Sequence, residues 1–91
     1  MQILVTPTFA KTVKKLKQPQ KKALDLAVHA ISENFEIGEA KVGDLRGISI
    51  FKFRMQDQTW LLAYRILSEV SIKLLLVGSH ENFYRELKKK V

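Results

Sequence analysis

Residues Ile48 to Ile66, ISIFKFRMQDQTWLLAYRI, constrain this chain more than any other stretch. They read as two strands folded back on each other. The first, Ile48–Met55, places Lys52 and Arg54 two residues apart, so both point to one face of a sheet. Ile48 and Ile50 precede them on that face, and Phe51, Phe53 and Met55 take the other. The second, Thr59–Ile66, is nearly all apolar, with Tyr64 and Arg65 near its end. Gln56-Asp57-Gln58 between them is polar and turn-like. A turn centred on Asp57 and Gln58 sets Arg54 opposite Leu61, Lys52 opposite Ala63 and Ile50 opposite Arg65. Opposite residues share a face, so this register gathers Lys52, Arg54 and Arg65 into a cationic triangle. A slip of one residue moves Arg65 to the other face.

The flanking segments supply helices and further strands. Met1–Val5 is a short β-type segment. Thr6-Pro7 follows it, a good N-cap and a residue favoured at the first helical position. A helix from Pro7 to about Lys17 aligns Phe9, Val13 and Leu16 on one face. Gln18-Pro19 interrupts it, because proline disfavours helix in the preceding residue. A second helix from about Pro19 to Phe35 buries Leu24, Ala27, Val28, Ile31 and Phe35, and the tight joint predicts an antiparallel pair. Glu36–Gly43 reads as a polar connection, and Asp44-Leu45-Arg46-Gly47 leads into the hairpin. A strand from Glu69 to Val77 is apolar and β-branched enough for the middle of a sheet. The tail from His80 to Val91 reads as a short amphipathic helix with Ser79 as N-cap, Phe83, Leu87 and Val91 inward, and Lys88, Lys89 and Lys90 in its last turn. The expected fold is therefore α+β. It is one small domain over residues 1–91, a twisted, mostly antiparallel sheet with two N-terminal helices packed on it and a short C-terminal helix. The helices are expected on one face, leaving the cationic triangle open on the other.

Charge points to an acidic partner. Net charge is +7, and six lysines lie between Lys11 and Lys22 with no acid among them. That run, including Lys14 and Lys15, is either a solvated face or a stripe that tracks phosphates. Nucleic acid is the first expectation and an acidic protein the second. The absence of cysteine excludes disulfide, thiolate and cysteine–zinc chemistry and fits a reducing, cytoplasmic setting. The start, MQILVTPTF, lacks the basic, apolar pattern of a signal peptide, and no run is long enough for a membrane span.

In helical geometry His80, Tyr84 and Lys88 fall on one line beside the Phe83/Leu87 stripe. Such groups, with Lys52, Arg54, Arg65 and Arg46 nearby, suit RNA cleavage by attack of the 2′-hydroxyl on its own phosphodiester. That step needs a base, cationic donors for the phosphorane charge and an acid for the leaving 5′-oxygen. Histidine can serve as acid or base, and arginine donates bidentately to phosphate. No cofactor is required. Asp25, Asp44 and Asp57 are scattered over different elements, which argues against a two-metal nuclease. His29 reads as structural, and Trp60 and Tyr64 as core residues.

Leu45-Arg46-Gly47, IFKFRM at Ile50–Met55, WLLAYRI at Trp60–Ile66 and VGSHENFYREL at Val77–Leu87 stand in an order and spacing that resembles the RelE/ParE superfamily of bacterial type II toxins. The resemblance covers essentially the whole chain. It implies a toxin neutralised by a cognate antitoxin in a hetero-oligomer. In the RelE-like branch the activity is metal-free mRNA cleavage on the ribosome; in the ParE-like branch it is poisoning of DNA gyrase. Direct cleavage of DNA by the same face is a third possibility. The resemblance places catalytic roles on Lys52, Arg54, His80 and an aromatic matched by Tyr84 or, alternatively, Phe83. The family arginine of the second strand aligns with Leu61, for which Arg65 is a stand-in.

Overall fold

The computed structural model describes residues 2–81 and 83–90. Its elements are β1 (Gln2–Val5), α1 (Pro7–Lys15), α2 (Gln18–Glu33), β2 (Glu39–Ala40), β3 (Ser49–Met55), β4 (Gln58–Ser68), β5 (Ser71–Ser79) and α3 (Phe83–Lys90). Among the described residues the strands form one sheet in the order β1-β5-β4-β3-β2. β1 runs parallel to β5, and every other pairing is antiparallel. The α+β class and the mostly antiparallel sheet stand as expected, with the edge strand β1 the parallel exception.

Thr6 joins sheet to helix. Its hydroxyl accepts the Phe9 N–H at 3.1 Å, which caps α1, and donates to the Leu75 carbonyl at 2.9 Å. Its own N–H reaches the Leu74 carbonyl at 3.1 Å. These bonds lie where the β4–β5 register shifts between Ala63 and Tyr64. Leu75 is the extra residue there, so Leu75 and Leu76 both serve the same face. α1 stops at Lys15, earlier than expected: the break falls at the extended Leu16 and Lys17, and Gln18, expected to interrupt the helix, opens α2 with Pro19 in its first turn. α2 then ends at Glu33, and Phe35 lies in a 3₁₀ turn, Phe35–Ile37.

The sheet has a core on each face. On one, Phe9 of α1 and Leu24, Ala27 and Ile31 of α2 pack on Met55, Leu62, Tyr64, Ile72, Leu74 and Val77. On the other, Phe83 and Leu87 of α3 pack on Ile48, Ile50, Leu61, Ala63 and Leu76, with Leu45. The second face is thus partly covered, not open as expected. The inward stripe of α3 is Phe83 and Leu87; Val91 and Met1 lie outside the described residues. β4, buried on both faces over Leu61–Tyr64, is the reason its sequence shows an apolar run instead of alternation.

The hairpin register differs from expectation. The turn is centred on Gln56 and Asp57, both at positive φ, 50° and 65°. Met55 therefore pairs with Gln58, Arg54 with Thr59, Lys52 with Leu61 and Ile50 with Ala63. A two-residue loop with both centres left-handed matches the twist of the flanking strands. The segment expected as a plain connection contains β2, whose Glu39 pairs with Ile50 and Ala40 with Ser49.

Neither Gln nor Asp is the residue such a turn favours, and a left-handed conformation costs a side-chain-bearing residue roughly 1–2 kcal/mol. Gln56→Asn with Asp57→Gly is expected to raise stability by about 1 kcal/mol, read as a higher denaturation midpoint with unchanged slope. A lower midpoint would contradict the observed turn.

Candidate functional site

The face that carries α3 also carries the basic side chains, and the ladder arranges them in rows. Arg54 pairs with Thr59, and the Thr59 carbonyl accepts the His80 N–H at 3.1 Å. Arg54, Thr59 and His80 thus stand side by side on three neighbouring strands, the outer two backbones roughly 10 Å apart at about 4.8 Å per strand. The next row on the same face is Lys52, Leu61 and Gly78. Thr59 has a short side chain between Arg54 and His80, while the Phe83 ring packs over Gly78, 3.7 Å from where a β-carbon would stand. Lys52, Arg54 and His80 are exposed. A depression of about 240 Å³ lined by Gln58, Thr59, Ser79, His80 and Glu81 opens beside the imidazole.

His80 is not helical. Ser79 pairs with Trp60 and is the last residue of β5 rather than an N-cap, and the His80 N–H extends that ladder. Strand pairing wins over the local capping preference, so α3 starts at Phe83. The expected column of His80, Tyr84 and Lys88 is therefore replaced by a ring contact. Tyr84, half-buried in the first turn of α3, stands edge-on to His80 with centroids 6.4 Å apart, and to Phe83 at 5.5 Å. Lys88 is exposed one helical turn beyond Tyr84.

Two further residues belong to this face. Glu39 shares it with its partner Ile50, and Lys41, two residues on, donates its N–H to the carbonyl of Ile48, just before β3, at 2.9 Å. The Lys41 ammonium donates to the Glu39 carboxylate and lies 5.3 Å from the Tyr84 ring centroid. The hydrogen bond and charge of Lys41 hold the Glu39 carboxyl below the ordinary carboxylate range, with a smaller pull from Lys52. The same hydrogen bond raises Lys41 above the ordinary ammonium range. Sequence reading missed both because a two-residue strand has no periodicity to detect. The available signal was the alternation Glu39, Lys41, which copies that of Lys52 and Arg54.

The remaining candidates lie elsewhere. Arg65 follows Tyr64, which pairs with Ser49 at the end of the hairpin away from the turn. Its guanidinium covers Gly47, 2.6 Å from where a β-carbon would stand, at a φ of +85° that itself favours glycine. The triangle of Lys52, Arg54 and Arg65 is therefore not formed; Arg65 and the exposed Arg46 make a separate basic end. Lys14 and Lys15 occupy the last turn of α1, across the sheet from His80. His29 is exposed and paired with Glu33 at 2.8 Å, so it is not part of the core.

Tyr64 holds the β2 segment in place. Its buried hydroxyl donates to the Phe35 carbonyl at 2.6 Å and accepts the Gly38 N–H at 3.1 Å. Gly38 has no room for more, since a β-carbon there would fall 2.5 Å from the hydroxyl oxygen. This anchor lies immediately before Glu39 and Lys41.

The model of one protein family, the ParE-like toxin of type II bacterial toxin-antitoxin system, matches residues 3–88. Among solved structures the chain is similar to that of the intact E. coli RelBE toxin-antitoxin complex, with 20% identity, a TM-score of 0.71, and coverage of 88% of this chain and 96% of that one. A mutant of E. coli toxin RelE in the free state gives 18% identity and a TM-score of 0.74 over 96% of this chain and 90% of that one. The isolated E. coli RelE toxin gives 17% and 0.68 over 99% and 98%. At such identities the likeness shows the fold. No curated protein matches the sequence.

Tyr64→Phe leaves the Phe35 carbonyl and the Gly38 N–H without their partner and is expected to cost about 1–3 kcal/mol. Burial raises the Tyr64 phenol above its ordinary value. The folded state thus favours the neutral phenol, a contribution complete below the unfolded value near 10 and lost as pH rises through the folded one. Denaturation midpoints from pH 8 to 11 should fall less steeply for Tyr64→Phe than for the parent chain.

Proposed function

We propose, since the chain belongs to the family of ParE-like toxins of type II bacterial toxin-antitoxin systems, that it is a toxin of the RelE kind, a metal-free endoribonuclease that cuts mRNA on the ribosome. The observation that carries this reading is the row of Arg54, Thr59 and His80 beside the row of Lys52, Leu61 and Gly78, with Tyr84 against the imidazole. A general base, two phosphate-directed cations and an aromatic ring meet on an exposed face.

In this mechanism the His80 imidazole takes the proton of the attacking 2′-hydroxyl. The 2′-oxygen bonds to phosphorus, and the bond from phosphorus to the 5′-oxygen breaks. The departing oxygen receives a proton from the Lys52 ammonium, leaving a 2′,3′-cyclic phosphate and a 5′-hydroxyl. Arg54 donates to the non-bridging oxygens as negative charge builds on them. Tyr84 offers its ring for base stacking.

The partner we infer is a cognate antitoxin, and the site is the cytoplasm. One of the solved relatives is a toxin-antitoxin complex, and the basic face and lysine-rich helices suit an acidic segment that folds on binding. Among the described residues no helix is long and apolar enough to cross a membrane. The family's ParE-like designation favours a second reading, a non-catalytic inhibitor of DNA gyrase; direct cleavage of DNA is the third.

Primer extension on a translated message after brief induction separates these. Discrete cuts at codon positions are expected, lost without translation. His80→Ala should reduce them by a factor on the order of 10²–10⁴, as for loss of a general base, and adding Arg54→Ala should relieve toxicity while antitoxin binding persists. Growth arrest with intact message and an SOS response would transfer the assignment to gyrase.

A further inference from the structure

We propose that Glu39 and Lys41 form a gated subsite for a backbone phosphate of single-stranded RNA, on the flank of Tyr84 away from His80. The inference rests on the endoribonuclease reading and adds to it a place for the strand beyond the cleavage point.

Tyr84 has a neighbour on each side: the His80 ring at 6.4 Å and the Lys41 ammonium at 5.3 Å. A strand whose base stacks on that ring places phosphates to either side of it, as in grooves that combine cations with aromatic platforms. One flank is served by His80 with Arg54, and Lys52 serves both, since it also acts on the Glu39 carboxylate. The other is served by Lys41, and Leu61 of β4 lies fully buried under α3 between them. A groove of about 290 Å³ lined by Ile37, Glu39, Ile50, Phe51 and Lys52 gives access to this edge.

Glu39 is the gate. Its side chain is 67% exposed, whereas that of Lys41 is 25% exposed. The ammonium is held in place over the ring while its counterion faces solvent. A phosphate arriving along the groove meets the same donor and can displace the carboxylate, which swings into water. In the free protein the carboxylate keeps Lys41 oriented and shields it from incidental anions. The two residues therefore act on RNA with opposite sign: Lys41 attracts the strand and Glu39 competes with it.

The test is the affinity of a labelled single-stranded RNA oligonucleotide, 2′-O-methylated so that it is not cut, measured by fluorescence anisotropy against salt concentration. Lys41→Gln should weaken binding several-fold and lower the slope of log affinity against log salt by about 0.7, the loss of one phosphate contact. Glu39→Gln should tighten binding, and Lys41→Arg should stay near the parent value. An ion pair that only stabilises the fold would move Lys41→Gln and Glu39→Gln in the same direction; that result, or no change in either, overturns the subsite. If the parent chain binds RNA and cuts message but the two variants do not diverge, the subsite alone falls. If the parent neither binds RNA nor cuts message, the endoribonuclease reading falls with it.

Discussion

The two-residue turn at Gln56 and Asp57 decides what the basic face can be. With both residues left-handed, Met55 must meet Gln58, and each later pair follows along the ladder. His80 is bonded to Thr59 from the other side of β4. Arg54 is therefore the residue in line with His80 across three strands. A turn centred one residue later would keep every side chain on its present face but would pair Thr59 with Gln56. The imidazole would then stand in line with a glutamine, and the arginine two residues away. The conformational cost of the turn is carried because the alternative would shift Leu61, Leu62 and Ala63, all fully buried, past every partner on β3.

The same strand pairing explains where α3 begins. Ser79 is a good helix cap in isolation, but it is also one more rung of the β4–β5 ladder, and His80 adds another backbone bond. Two ladder bonds outweigh one cap. The consequence is chemical: His80 stands at a strand end, on a defined row, instead of rotating with a helix. Tyr84 then approaches it from a different element, so the pair is fixed by tertiary packing of Phe83 and Leu87 on Ile48, Ile50 and Leu76.

Much of this was legible in the sequence, and the exceptions share a cause. The stripes Phe9/Val13/Leu16 and Leu24/Ala27/Ile31, a break near Pro19 that falls at Leu16 and Lys17, the alternation Lys52/Arg54 and the apolar runs of β4 and β5 are all periodic or punctuated signals. They gave the elements, the α+β class and the faces. What escaped depends on contacts between distant residues. A glycine-free turn reads equally well at Gln56-Asp57 and at Asp57-Gln58. β2 has two residues and exists because Tyr64 hooks Phe35 and Gly38 to the sheet. The parallel direction of β1 and the reach of Arg65 over Gly47 leave no trace in local composition. His80, Lys52 and Arg54 could be picked out as candidates, but their alignment could not, since it depends on a register that only the assembled sheet sets.

The division of the second face follows from burial costs. α3 lies across the rows that present Ile48, Ile50, Leu61, Ala63 and Leu76, where it removes apolar surface from water. It leaves the Lys52 and Arg54 side chains exposed at the edge of the covered area, because burying cations costs far more than such burial returns. The uncovered part of the face is therefore the part that carries charge. The net charge of +7 is divided accordingly: Lys52 and Arg54 sit near the turn, Arg46 and Arg65 at the opposite end, and Lys14 and Lys15 behind the sheet. The first group is the one aligned with His80, against whose ring Tyr84 stands. Glu39 supplies a carboxylate on which two of the cations, Lys41 and Lys52, both act. That carboxylate relieves repulsion in the free protein and leaves a position that a phosphate, carrying the same charge, is suited to fill.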